Sequence, residues 1–161
     1  VYEETLVSNI LFLMCVSVLA FLMFNWQPAK AFMGDVGSGF LGILIVAMAI
    51  ISIGIDMNMF WVWLILLAVF ITDASYTLIV RILHKHSPSE AHCNHGYQIL
   101  SRRLQSHSRV SILVLLINSF WLAPLAYFVA SGDLYPYLGV GLAYIPVFIS
   151  AYLLKAGTNN Y

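Results

Sequence analysis

The chain has 161 residues, 61% of them hydrophobic and 9% charged, and its seven Lys and Arg balance seven Asp and Glu. Water-soluble domains carry about 25% charged and about 45–50% apolar residues, so a soluble globular fold is excluded and a membrane-embedded one is implied. The zero net charge removes the basic excess expected of a nucleic-acid binder, and Cys15 and Cys93 form neither a disulfide framework nor a Cys-x-x-Cys pair.

The first residue is Val, and no basic stretch with a small-residue cleavage site follows it. The N-terminal part of a longer protein is therefore expected to be missing. A spanning helix needs about 20 residues, because a hydrocarbon core of ~30 Å is crossed at ~1.5 Å per residue. Five runs reach that length: Leu6–Phe24, Gly39–Ile55, Phe60–Val80, Val110–Ala130 and Tyr135–Leu154. The expected fold is all-α, a polytopic transmembrane helical bundle forming a single membrane domain over 1–161, with loops at 25–38 and 81–109.

Alternating spans put Lys30, Arg81, Lys85, Arg102, Arg103, Arg109 and Lys155 on one side, which the positive-inside rule makes cytoplasmic. Glu3, Glu4, Asp56 and Asp133 fall on the other side, in short loops or near the start of the chain. The longer loops lie on the basic side, and loops carry function more often than scaffold does.

The first of them reads Asn25-Trp-Gln-Pro-Ala-Lys-Ala-Phe-Met-Gly-Asp-Val-Gly-Ser38. Pro28 stops a helix from running through, and Gly34 and Gly37 permit tight turns around Asp35. Ser38 is expected to cap the second helix. A carboxylate beside a helix N-terminus suits a hard cation such as Mg²⁺, which binds through one or two carboxylates plus substrate phosphates. The plain alternative is that Asp35 only caps the helix.

Asp73 lies inside the third apolar run, and acids there are costly and usually face the protein interior. It shares helical spacing with Tyr76, Thr77 and Val80, a partly polar stripe leading to the basic side. It is read either as an interhelical hydrogen bond or as a group orienting a nearby metal site.

The stretch from Arg81 to Arg109 holds His84, His86, His92, His95 and His107. Imidazoles can ligate a metal or donate to a phosphate. A zinc site drawn from His84, His86, His92, Cys93 or His95 matches no strong zinc spacing. The plain alternative is a solvated loop whose cations contact anionic lipid. Tyr97, Leu100 and Leu104 predict an amphipathic helix in the interface, with Arg102 and Arg103 near lipid headgroups.

Together these loops resemble the bacterial polyprenyl-phosphate N-acetylhexosamine-1-phosphate transferases, glycosyltransferase family 4. The family pattern Asn-x-x-Pro-Ala-x-x-Phe-Met-Gly-Asp-x-Gly-Ser is present at Asn25, Pro28, Ala29, Phe32, Met33, Gly34, Asp35, Gly37 and Ser38. Asp73, Thr77 and Leu78, then Glu90-Ala-His92 and His95-x-Tyr97-Gln98, look like the O-antigen-initiating branch, with Cys93 and Asn94 interrupting the histidine cluster.

The resemblance implies an Mg²⁺-dependent enzyme of the bacterial inner membrane, with Mn²⁺ as an alternative ion. It would move a sugar 1-phosphate from a UDP-N-acetyl sugar to undecaprenyl phosphate, with release of UMP, at loops facing the cytoplasm. Asp35 would be the catalytic metal ligand. Phe32 would lie against uracil, Asn25 would line the same cleft, and His92 and His95 would hold the donor's diphosphate or sugar. Family members often pair, so a homodimer is an expectation. The family's paired aspartates lie in an N-terminal half not represented here, so these 161 residues alone are expected to be inactive. The competing reading is a small transporter or channel subunit using Asp73 as an ion site.

Overall fold

The computed structural model describes residues 2–84 and 95–158, and all regular structure among them is helical. In chain order the helices are α1 (Tyr2–Asn25), α2 (Gly34–Ile55), α3 (Met59–Leu66), α4 (Ala68–Leu83), α5 (Gly96–Leu104) and α6 (His107–Ile117). A π-helical turn, Asn118–Leu122, then joins α6 to α7 (Ala123–Ala130), and α8 (Pro136–Leu154) follows. Four stretches are long and apolar enough to cross a membrane: Glu4–Asn25, Gly34–Ile55, His107–Ala130 and Pro136–Leu154. With α3 and α4 taken as one bent span they make the five expected from the sequence. Large side chains such as Ile43 (72% exposed) and Phe120 (76%) point outward, which lipid tolerates and water would not.

The chain divides into two compact units, Val1–Phe60 and Trp61–Tyr161. In the first, α1 packs against α2, with Val7, Met48 and Ser52 buried. Helix α2 starts at Gly34, upstream of the expected Gly39. Gly34 has φ +66°, a left-handed turn that feeds the chain into the helix at little cost only for glycine. This shift corrects the role expected of Ser38. It lies within the helix, where its hydroxyl donates to the Asp35 carbonyl at 3.1 Å, and it caps nothing.

In the second unit the core is Ile65, Ala68, Leu122, Ala126, Val129 and Ala143. Small residues let the helices approach, the usual device where lipid leaves no hydrophobic drive between helices. A Cβ on Gly139 would sit 2.6 Å from Val129 Cγ2 and 3.1 Å from Ile65 Cδ1.

The third run, expected as one helix over Phe60–Val80, is broken at Leu67, where α3 and α4 meet at 65°. No Pro or Gly occurs in that run. At the break the Tyr144 hydroxyl on α8 donates to the Leu64 carbonyl at 3.1 Å, where the ladder is interrupted. Helix α4 continues to Leu83, so Arg81, expected to open the loop, is buried in its last turn (3% exposed). A cation suits that helix end.

Pro146 interrupts α8 and cannot donate to the Leu142 carbonyl one turn earlier. The Trp121 indole in the π turn fills the gap, donating to that carbonyl at 3.3 Å. The π turn itself precedes Pro124, and the Ala123 amide reaches back to the Asn118 carbonyl.

After α8 the chain turns sharply. Lys155 (φ 57°) and Gly157 (φ 79°) are both left-handed, and the Ala156 amide returns to the Ala151 carbonyl at 3.2 Å. A Cβ on Gly157 would lie 2.9 Å from the Thr77 carbonyl and 2.9 Å from Val80 Cβ. The turn thus lies directly on α4, whose Tyr76 packs edge-on against Phe148 of α8 at 5.2 Å.

Candidate active site

The sequence-predicted residues fall into both units. In the first, the loop after α1 folds back on the end of that helix. The Phe24 carbonyl accepts from the amides of Lys30 (2.8 Å) and Ala31 (3.1 Å). Asn25 Nδ2 donates to the Ala31 carbonyl at 2.9 Å, so this side chain holds the loop closed. Gly37 lets Met33 fold over the first turn of α2, since a Cβ there would meet Met33 Cγ at 2.6 Å.

This scaffold leaves two side chains projecting. Phe32 is 83% exposed, and Asp35 stands in the first turn of α2 with no hydrogen bond or ion pair from its carboxylate to any described residue. A carboxylate at a positive helix end can hold a cation, and an exposed aromatic ring three residues earlier can stack a flat ring. The donor set fits Mg²⁺, which needs one or two carboxylates and takes its other oxygens from phosphates and water. Among the described residues no cluster of three or more His, Cys, Asp or Glu forms a self-sufficient metal cage.

In the second unit Asp73 projects from α4 to the start of α5. Its Oδ1 accepts the Gly96 amide at 2.6 Å, and its Oδ2 lies 3.4 Å from His95 Nδ1. The bond from the Gly96 amide is the interhelical hydrogen bond, one of the two expected readings of Asp73, and the ring beside it belongs to a candidate histidine. The His95 amide donates to Gln98 Oε1 at 3.1 Å, and the His95 and Tyr97 rings stack at 5.9 Å. A groove of about 160 Å³ opens below Asp73, lined otherwise by Tyr97, Ser150 and apolar side chains of α5, α6 and α8.

Gly96 is the residue the sequence reading missed. A Cβ there would lie 2.7 Å from Asp73 Oδ1, so only glycine admits this approach. The available signal was a glycine between the last histidine of the cluster and a helical stretch. Helix α5 forms as expected, but its most buried side chain is Ile99 (1% exposed), while Tyr97 and Leu104 of the expected apolar stripe are exposed. His84 Nδ1 is bonded to the Val80 carbonyl at 2.8 Å. His86, His92 and Cys93 lie outside the described residues.

Comparisons with known proteins bear on the whole arrangement. The sequence profile described as glycosyl transferase family 4 matches residues 1–53, which hold α1, the Asp35 loop and most of α2. A Bacillus subtilis protein named "Probable undecaprenyl-phosphate N-acetylglucosaminyl 1-phosphate transferase" is 33% identical over 122 residues, 73% of this chain and 33% of that protein. The phospho-N-acetylmuramoyl-pentapeptide-transferase of Levilactobacillus brevis is 36% identical over 80 residues, 47% of this chain and 24% of the relative. That of Streptococcus equi subsp. zooepidemicus is 36% identical over 71 residues, 44% and 20% respectively. The chain thus spans a third or less of the relatives it matches. No solved structure matches.

Proposed function

The chain belongs to glycosyl transferase family 4, and on that premise we propose that the full-length protein moves an N-acetylhexosamine 1-phosphate from a UDP-sugar to undecaprenyl phosphate, releasing UMP. The step would initiate O-antigen or another cell-envelope polysaccharide at the cytoplasmic face of a bacterial inner membrane. The observation that carries this reading is the Asp35 carboxylate in the first turn of α2, without a partner among the described residues, with the exposed Phe32 three residues before it.

In this reading Asp35 holds Mg²⁺, or Mn²⁺ in its place, which when bound offsets charge on the donor's diphosphate. Phe32 stacks on uracil. Asn25 acts by closing the loop onto its own carbonyl at Ala31. His92 and His95 take the diphosphate or sugar, and Asp73 supports His95. The acceptor phosphate is already anionic at neutral pH, so positioning and electrostatics carry most of the rate without a strong general base. The transporter reading gains no open ion site, because Asp73 meets the Gly96 amide with one oxygen and His95 with the other.

The test is Asp35→Asn in the full-length protein, with UMP release followed over a range of Mg²⁺ concentrations. Turnover is expected to fall by roughly 100-fold or more, the scale for losing one electrostatic stabiliser. Near-normal turnover at saturating Mg²⁺ would remove Asp35 from the metal site. The 161-residue chain alone is expected to release no UMP.

A further inference from the structure

A polar recess at the α5–α6 junction, lined by Gln98, Arg102 and His107 among others, contains no group that identifies a ligand. A groove between α1 and α2 near Glu4 and Asp56 is an acidic cluster with no second feature that points to a ligand. The short turn after α8 is different, because it touches both helices that Asp73 joins.

Lipid gives membrane helices no hydrophobic drive to come together, so close packing decides their spacing. The start of α5 is held to α4 by the Asp73 carboxylate, which accepts the Gly96 amide at 2.6 Å. Residues 155–158 enter the same corner from α8. Their backbone is fixed internally: the Ala156 amide donates to the Ala151 carbonyl at 3.2 Å, and the Thr158 amide and hydroxyl donate to the Lys155 carbonyl at 3.3 and 2.8 Å. Lys155 is exposed, whereas Ala156 and Gly157 are buried. The Ala156 Cβ lies 3.8 Å from where a Cβ on Gly96 would stand. Gly157 rests on α4, since a Cβ there would meet the Thr77 carbonyl and Val80 Cβ, each at 2.9 Å. Two adjacent residues of one turn therefore touch α4 and the first residue of α5.

Whatever places the start of α5 places His95 as well. His95 and Gln98 form a reciprocal capping box: the His95 side chain takes the Gln98 amide, and Gln98 Oε1 takes the His95 amide at 3.1 Å. The imidazole is fastened to the helix start and moves only with it.

We propose that Gly157 is a positioning residue for donor binding: lacking a Cβ, it lets the turn after α8 seat on α4, and Ala156 then holds the start of α5, with its capping His95, where the Asp73 bond needs it. The role rests on the transferase reading for its ligand but not for the placement of α5. A turn that merely ended α8 would need a left-handed residue at position 157 and no close approach to α4.

The experiment compares Gly157→Ala with Gly132→Ala in the full-length protein. Both glycines are left-handed, at φ 79° and 83°, so a Cβ strains both backbones alike. A Cβ on Gly132, in the turn between α7 and α8, would meet nothing within 4 Å. Ala156→Gly is the third variant; it removes the contact with α5 without crowding α4. KM for UDP-N-acetylglucosamine and kcat are measured in each. A loss of folded protein lowers apparent kcat and leaves KM alone, whereas a displaced His95 raises KM. KM is expected to rise roughly 10-fold or more in Gly157→Ala, about 3-fold in Ala156→Gly, and less than about 2-fold in Gly132→Ala. An unchanged KM in Gly157→Ala, or equal rises in Gly157→Ala and Gly132→Ala, would overturn the proposal. Where Gly157→Ala does not accumulate, Ala156→Gly decides in its place by the same two criteria. Selective ¹⁵N-glycine labelling supplies a readout independent of turnover, with the Gly96 amide identified by its loss in Gly96→Ala. That signal should move in Gly157→Ala and Ala156→Gly and stay in place in Gly132→Ala. A Gly96 signal unmoved by both turn variants would also overturn the proposal. If the wild type released no UMP while the Gly96 signal behaved as expected, the transferase reading would fail and the seating of α5 by the turn would stand.

Discussion

Gly96 owes its identity to a carboxylate 23 residues earlier in the chain. An added Cβ would stand 2.7 Å from Asp73 Oδ1, well inside contact distance. Gly96→Ala is therefore expected to unseat the start of α5, at a cost of about 1–3 kcal/mol from overpacking. Thermal unfolding in detergent would measure it, and an unchanged midpoint would show that Asp73 yields without cost. The sequence identified Asp73 because an acid in an apolar run is conspicuous, and Asp35 because its glycines announce a turn. Gly96 was silent, since glycine beside histidine in a polar stretch reads as loop. Ser38 was misread for a related reason. A serine near a helix start resembles a cap, but the left-handed Gly34 had already begun the helix.

Among the helices, two broken ladders are mended by aromatic donors. Tyr144 serves the Leu64 carbonyl beside the α3–α4 break, and Trp121 serves the Leu142 carbonyl left by Pro146. Hydrogen bonds between membrane helices average about 0.6 kcal/mol and reach about 1.7. Tyr144→Phe is expected to cost an amount in that range, read as a lowered midpoint of unfolding in micelles, with the α3–α4 bend relaxed. A rise in stability would mean that the bend is imposed by something else. Run length and hydropathy were enough to find the four candidate spans, and a fifth where the bent α3–α4 pair counts as one, because the bilayer sets a length that few other constraints set. The break at Leu67 was not legible, since the hydroxyl that serves it lies 80 residues away from Leu64. Pro146 was visible as an interruption, but nothing local showed that a tryptophan would answer it.

For the molecule as a whole, the distribution of charge predicts an orientation. With Cys15 and Cys93 replaced by serine, single cysteines at Lys30 and Asp133 separate the two faces. A membrane-impermeant thiol reagent on intact cells is expected to label position 133 and spare position 30 until the cells are opened. The reverse pattern would place the Asp35 loop outside the cell and end the transferase reading. The mended carbonyls carry a consequence for biogenesis. Backbone oxygens without donors are intolerable in hydrocarbon. The segment with the α3–α4 break and the one carrying Pro146 are each complete only beside another span. They are thus suited to leave the insertion machinery as a packet, with a late segment sheltering an early one until both reach lipid together.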